Sequence, residues 1–290
     1  SNNTSMRQIA SAPEPLFRAE GAAATGNALF AYIAGGLNRD GDYISSIGRI
    51  NYSNDTAFLT PSLTLSERTA YSGAMGNINF GYWTGGKDDE DFTEDSLTRI
   101  DRIDFSNDTN NATVVANMNE DRREHGAVSN QSFGYIGGGN GDSPTKFSSI
   151  ERYDFSNDTT DPSTISSELS DSKTNMATVG NGSYGYFCGG EFPIYPADPR
   201  SDVQRLDYSS GTGSIVAAGK LAENLTGSAG TSNSSYGWIA GGLDYPVYYN
   251  SFIYRIDFAN DTVDVESNLL SELGAKRNST AFNAAANGAT

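Results

Sequence analysis

The most regular pattern along the chain is an alternation of charged and apolar residues. It runs RIDFSNDT from Arg102 and returns as RINYSNDT at Arg49, RYDFSNDT at Arg152, RLDYSSGT at Arg205 and RIDFANDT at Arg255. A period of two predicts a half-buried β-strand. Ahead of each copy lies an aromatic run closed by two glycines: YIAGG at Tyr32–Gly36, YWTGG at Tyr82–Gly86, YIGGG at Tyr135–Gly139, YFCGG at Tyr186–Gly190 and WIAGG at Trp238–Gly242. A small-residue stretch such as Ala177, Thr178 and Val179 leads into that run through a Gly/Asn turn, as in GNINFGYW, NQSFGYIG and NGSYGYFC.

Each unit therefore reads as four strands. Strand a is small and apolar, and strand b is aromatic and ends in the glycine pair. Strand c is the alternating phrase, and strand d follows the SNDT turn with weak patterning. The last glycines recur at steps of 50, 53, 51 and 52 residues. Four strands in about fifty residues predict an all-β, kelch-like β-propeller; the shorter WD40 blade carries His and Trp-Asp signatures that this chain lacks. The repeats span 18–67, 68–121, 122–172, 173–222 and 223–275. Partial blades stand at both termini: 1–17 repeats the SNDT turn and a strand d, and 276–290 reads as a strand a. A single propeller domain over 1–290, cut from a longer chain, is the expectation.

The third SNDT position holds Asp55, Asp108, Asp158, Gly211 and Asp261. These residue types tolerate a left-handed backbone, so a c–d hairpin with positive φ is expected there. Arg102 and Asp104, Arg152 and Asp154, Arg205 and Asp207, and Arg255 and Asp257 stand two apart on one strand face. Their repetition predicts a charge ladder between blades, weaker at Arg49, where Asn51 replaces the acid.

Composition agrees with strands and turns: 32 glycines and 30 Tyr or Phe residues stand against 4 methionines. The net charge of −17 argues against nucleic acid, whose phosphates need clustered Lys and Arg. No apolar run approaches the length that inserts into a membrane. The lone Cys188 excludes an internal disulfide framework.

RIDFSNDT followed by GYIGGG, carried by Arg102–Thr109 with Phe133–Gly139, resembles kelch-like repeats in virion structural proteins of marine bacteriophages, particularly those of cyanobacteria. The resemblance spans all five units. It implies a tail-fibre, baseplate or particle-surface component, partnered by other virion proteins, by copies of itself or by a host cell-surface glycan. It transfers no catalytic residue and no cofactor.

The residues themselves point the same way. Hydrolytic or redox chemistry needs a base, nucleophile or metal set, yet His125 is the one histidine and reads as a packing or surface residue. Cys188 takes the place of Ala34, Thr84, Gly137 and Ala240 and reads as a small buried side chain. A non-enzymatic protein is expected. The b–c connections differ sharply among copies and are the candidate binding surface. They carry Tyr43; Asp88, Asp89 and Phe92 in an acidic run; Phe192 and Tyr195; and Tyr245, Tyr248 and Tyr249. Exposed tyrosines offer contact area at small entropic cost. The acidic run lacks EF-hand spacing, and no metal site is assigned. The alternative is a secreted or cell-surface propeller, lectin-like or filament-forming. In a eukaryotic secreted protein the Asn-X-Ser/Thr triplets would be glycan acceptors, although the turn already explains most of them.

Overall fold

The computed structural model describes residues 20–88, 95–142, 145–192, 198–210, 213–244, 248–249, 252–260, 262–263 and 282–284. Five four-stranded antiparallel sheets follow one another. Strands a to d are Ala23–Gly26, Phe30–Ala34, Ser46–Asn51 and Thr56–Thr64 in blade 1. In blade 2 they are Gly73–Gly76, Phe80–Thr84, Arg99–Asp104 and Thr113–Asn117. Blade 3 has Gly126–Ser129, Phe133–Gly137, Ser149–Asp154 and Ser163–Glu168. Blade 4 has Ala177–Gly180, Tyr184–Cys188, Asp202–Asp207 and Ser214–Lys220. Blade 5 has Ala229–Ser232, Tyr236–Ala240, Ile253–Asp257 and Thr262–Val263. Successive strands a touch one another, so they form the inner ring of a β-propeller.

Within 276–290, where strand a of a further blade is expected, a strand forms at Phe282–Ala284, but it takes no strand-a place in the ring. It runs parallel to strand a of blade 1 and touches strand a of every blade, which places it at the axis. The segment 1–17 lies outside the described residues. Helix is confined, among the described residues, to two single 3₁₀ turns, and no helix is long and apolar enough to cross a membrane.

The core lies between blades. Adjacent residues of one strand point to opposite junctions: Ala74 packs with Tyr32 and Ile47 of blade 1, whereas Met75 packs with Ile136 and Tyr153 of blade 3. Two further clusters fill the 3/4 and 4/5 junctions. At each of these four junctions the strand-b tyrosine of one blade stacks on the aromatic ending strand c of the next. The pairs are Tyr32 on Phe105, Tyr82 on Phe155, Tyr135 on Tyr208 and Tyr186 on Phe258, with centroids 4.9–5.2 Å apart. Such a stack adds about 0.5–1.5 kcal/mol beyond the area it buries.

The turns are built by side chains reaching forward to backbone N–H groups. In all five a–b turns an asparagine Oδ1 (Asn27, Asn77, Asn130, Asn181, Asn233) accepts from the residues two and three positions on. The strand-c acid does the same at the c–d turn. Asp104, Asp154 and Asp207 each accept from a serine N–H and hydroxyl at 2.6–2.9 Å, and Asp257 accepts from Ala259 N–H. Asn51 binds Ser53 equally well, so the first copy loses nothing there. These are Asx turns, and their charge is secondary.

That assignment corrects the expected ladder. Charge does cross between blades, but the acid is the SNDT aspartate. Asp108 Oδ2 accepts from Tyr32 Oη at 2.8 Å and from Arg49 Nη1; Asp158 Oδ2 accepts from Tyr82 Oη at 3.0 Å and from Arg102 Nη1 at 2.5 Å. Every strand-c arginine also lies over the first aromatic ring of its own strand b. Arg49, Arg102, Arg152, Arg205 and Arg255 stand 4.4–4.8 Å from Phe30, Phe80, Phe133, Tyr184 and Tyr236. The ring steers the guanidinium toward the next blade.

The left-handed backbone expected at this aspartate is also corrected. Asp158 has φ −73°, and Asp108 is not left-handed; only Asp55 is, at φ +54°. Gly211 and Asp261 lie outside the described residues. Asp55 is exposed, and the neighbouring Tyr52 is 52% exposed, whereas Phe155, Tyr208 and Phe258 are buried. Among the described residues no strand-b tyrosine stacks on Tyr52, and here the aspartate follows the local turn instead.

This difference yields a matched pair of variants. Asp158→Asn removes the charge facing Arg102 and should cost about 1–2 kcal/mol in urea unfolding. Asp55→Asn should change stability by less than about 0.5 kcal/mol.

Candidate functional site: the b–c loop face

Antiparallel a-b-c-d order puts the b–c and d–a connections on one face and the uniform turns on the other. The glycine pair joins the two connections. The first glycine of each pair described (Gly35, Gly85, Gly138, Gly189, Gly241) has φ between +54° and +70°, and the second has φ between +88° and +103°. The N–H of Gly36, Gly86, Gly139 and Gly190 donates to the carbonyl of Thr69, Arg122, Lys173 and Leu225 in the d–a connection, at 2.7–2.8 Å. A Cβ on Gly138 would sit 2.6 Å from Lys173 O, so glycine is required by both conformation and space.

Beyond the glycines the five divergent loops share one base. Leu37, Lys87, Asn140, Glu191 and Leu243 each bridge back to the d–a connection, at Glu20, Ala70, Arg123, Thr174 and Thr226. Each also pairs with the returning b–c strand, at Tyr43, Ser96, Lys146, Pro199 and Tyr249. The loops thus rise as β-hairpins from a common three-stranded footing.

Two residues before each strand a, a left-handed residue recurs: Gly21, Tyr71, Glu124, Asn175 and Gly227, with φ of +55° to +70°. The N–H of Tyr71, Glu124, Asn175 and Gly227 donates to the carbonyl of its counterpart one blade back, at 2.7 Å for Tyr71 to Gly21 and 2.9–3.0 Å for the other three. This backbone relay of four bonds runs from Gly21 to Gly227 along the loop-face mouth of the axis. Glycine in the first and last copies was the available signal for it, and it went unread because the middle copies carry Tyr, Glu and Asn. Their side chains form a polar collar: Tyr71 Oη donates to Glu20 (3.2 Å), Asn140 Nδ2 to Glu124 (2.7 Å) and Asn175 Nδ2 to Glu191 (3.0 Å). Burial pushes the Glu124 carboxyl up and Glu191 adds to this, against Arg123, Asn140 and Lys87.

Of the predicted site residues, Asp89, Phe92, Tyr195 and Tyr245 lie outside the described residues, and Tyr248 and Tyr249 are placed as strand backbone. Tyr43 sits in a hairpin base and is half-buried, not exposed. Asp88 is buried at 9% exposure in a short strand, so it belongs to the footing too. Phe192 is half-buried, with the Arg200 guanidinium 4.4 Å from its ring. The structure therefore places the described ones on one face and sets three of them, Tyr43, Asp88 and Phe192, at the loops' roots.

The loop face also contains buried charge that sequence reading missed. Arg122 and Glu151 are both fully buried and paired at 3.1 Å; Arg122 further donates to Gly138 O, Ser149 O and Ser149 Oγ. Burial lowers the Arg122 pKa and raises that of Glu151, each opposed by the other. Arg99 with Asp101 and Glu67, and Lys173 with Asp202, occupy the neighbouring junctions. In each the cation or its acid comes from the d–a connection or the start of strand c, so no single sequence phrase reveals the set.

His125 is buried between blades 2 and 3. Its Nε2 accepts from Gly73 N–H at 3.1 Å and lies 2.9 Å from Thr84 Oγ1, which fixes a neutral ring. Burial, with Arg122 adding, lowers its pKa to about 3. Cys188 is buried, and burial pushes its thiol up. Neither side chain faces solvent. Among the described residues no cluster of three His, Cys, Asp or Glu residues has metal-binding geometry.

A cleft of about 650 Å³ opens at the rim between blades 3 and 4. Asp171, Asp198, Arg200, Gln204, Lys220 and Asn224 supply acceptors and donors around it, and Val203 and Ile215 supply apolar floor. Carboxylates, amides and cations alternating over an apolar base suit a polyhydroxylated ligand.

No protein-family model matches the chain, and no curated protein matches it in sequence. Among solved structures it is similar to one titled "Structure of YjhT", with a TM-score of 0.71 and 12% identity, over 92% of this chain and 86% of that one. The likeness is one of fold.

His125 sets a pH dependence whose sign is fixed. Its folded pKa of about 3 lies below the usual value near 6.5, so between these limits the unfolded chain binds the extra proton. Stability is complete above pH 6.5 and falls as pH drops toward 3, by up to about 1.4 kcal/mol per unit. His125→Gln, whose amide oxygen can accept from Gly73, should show a shallower acid limb in denaturant melts from pH 7 to 4.

Proposed function

We propose that this propeller is a non-catalytic structural and recognition module of a bacteriophage particle, as a tail-fibre, baseplate or surface component whose loop face engages a cell-surface glycan. One observation carries the reading. Five divergent hairpins stand on an invariant backbone footing, while the opposite face repeats the same Asx turns in every blade. A rigid base under variable loops is the arrangement that lets recognition change without cost to the scaffold.

Three further facts support it. The repeat phrases resemble kelch-like virion proteins, which favours the particle assignment. The rim cleft offers paired hydrogen-bonding groups over apolar surface, the chemistry that vicinal hydroxyls require. His125 and Cys188, the best general base and nucleophile by residue type, are buried and neutral.

Two measurements test the reading. On an array of cell-envelope glycans the chain should bind, and Asp171→Ala with Lys220→Ala should weaken binding at least about tenfold, while Tyr52→Ala leaves it unchanged. Absence of wild-type binding rejects glycan recognition. Antibody against the chain should decorate phage particles; undecorated particles reject the virion assignment.

A further inference from the structure

The five a–b turns share one Asx bonding pattern, yet the residue after the asparagine differs among them. Asn27, Asn77, Asn130 and Asn233 are followed by Ala28, Ile78, Gln131 and Ser234, whereas Asn181 is followed by Gly182. A side chain on the following residue crowds that residue's amide nitrogen, and glycine leaves it open. Gly182 is exposed, and a Cβ there would meet no described atom within 4 Å. Its N–H has no hydrogen-bond partner among the described residues. In blade 2 the equivalent N–H, that of Ile78, is held by Gln131 Oε1 at 3.0 Å.

Asn181 presents the matching electrophile. Its Oδ1 accepts from Ser183 N–H at 2.8 Å and from Tyr184 N–H at 2.9 Å. Two donors on one amide oxygen draw electron density from Cγ and stabilise the oxyanion that forms when a nucleophile adds there. The same bonds fold the side chain back over its own main chain, so Asn181 Cγ and the Gly182 nitrogen belong to one closed turn. The other described Asn-Gly pair is built the opposite way. Asn140 Nδ2 donates to Glu124 at 2.7 Å, and Gly141 N–H donates to Thr145 O at 3.0 Å, so leaving group and nucleophile are both engaged. Asn140 Oδ1 is buried and has no donor.

We propose that Asn181 is a self-modification site, at which the folded a–b turn of blade 4 converts the asparagine to isoaspartate. The Gly182 nitrogen bonds to Asn181 Cγ, the Cγ–Nδ2 bond breaks, and Nδ2 leaves as ammonia with the Gly182 amide proton. Water then opens either C–N bond of the cyclic imide, giving aspartate or isoaspartate and releasing a proton. Isoaspartate carries the main chain through the β-carbon. It lengthens the turn, adds a negative charge and removes the side-chain oxygen that holds Ser183 and Tyr184.

Peptide mapping of the full chain, aged at mildly alkaline pH in heavy-oxygen water, tests this. In the folded chain the peptide holding Asn181 should take up solvent oxygen at least about tenfold faster than the one holding Asn140. An isoaspartate-specific methyltransferase should label the Asn181 peptide. In denaturant, where neither turn persists, the two should convert at like rates. Gly182→Ala, whose Cβ has room, should fold and slow conversion at Asn181 at least about tenfold. Aged wild type should melt about 2–4 °C lower than fresh protein, while Asn181→Asp, which keeps the acceptor and the main-chain length, should melt with fresh wild type. Equal rates at Asn140 and Asn181 in the folded chain, or an unconverted Asn181 there while the denatured chain converts, overturns the proposal.

Discussion

The stack of a strand-b tyrosine on the aromatic that follows strand c of the next blade is the contact shared by all four described junctions, and at two of them a carboxylate crosses beside it. Asp108 and Asp158 each tie a tyrosine and an arginine of the preceding blade to the turn of their own. The same blade-to-blade step stacks two aromatic rings and closes an apolar cluster, so one junction combines packing, hydrogen bonding and charge. None of these groups can be placed by its own blade alone. A lone four-stranded sheet of this sequence would expose Tyr82 and Met75 on one side and Ala74 and Trp83 on the other. Blades of this composition are therefore stable as neighbours rather than as units, the general behaviour of repeat folds.

Much of the fold was legible because its signals are local. The alternation of Ile103, Asp104 and Phe105, the a–b asparagines and the glycine pairs each act within a few residues of where they stand. The rung was misassigned because spacing along a strand shows which side chains share a face but not what faces them. Arg102 has Asp104 two residues away and binds Asp158, fifty-six residues on. The left-handed backbone expected in the SNDT turn is missing at Asp108 and Asp158 for the same reason: there the carboxylate is drawn to the neighbouring blade. Among the three described copies only Asp55, with Tyr52 exposed beside it, keeps the local preference.

The candidate site was legible as a face and not as a geometry. Divergence among the b–c stretches located the variable loops, but Tyr43 and Asp88 turned out to root the hairpins. The collar of Tyr71, Glu124 and Asn175 lay hidden because a backbone relay leaves no constant side chain behind. Buried pairs such as Arg122 with Glu151 escaped too, since the cation and acid exchange positions from blade to blade. Removing one partner of such a pair strands the other in low dielectric, at about 3–5 kcal/mol. The footing beneath the variable loops is thus more rigid than its polar sequence suggests.

The axial strand has a kinetic meaning. Nearly every other pairing joins residues within one repeat or between adjacent repeats, which favours rapid, stepwise growth from any blade. Phe282 instead pairs with Ala23, some 260 positions earlier, at a closure entropy that grows only with the logarithm of that distance. That pairing is the most distant in sequence among those described, and through it loosening any one inner strand disturbs a segment shared by all five.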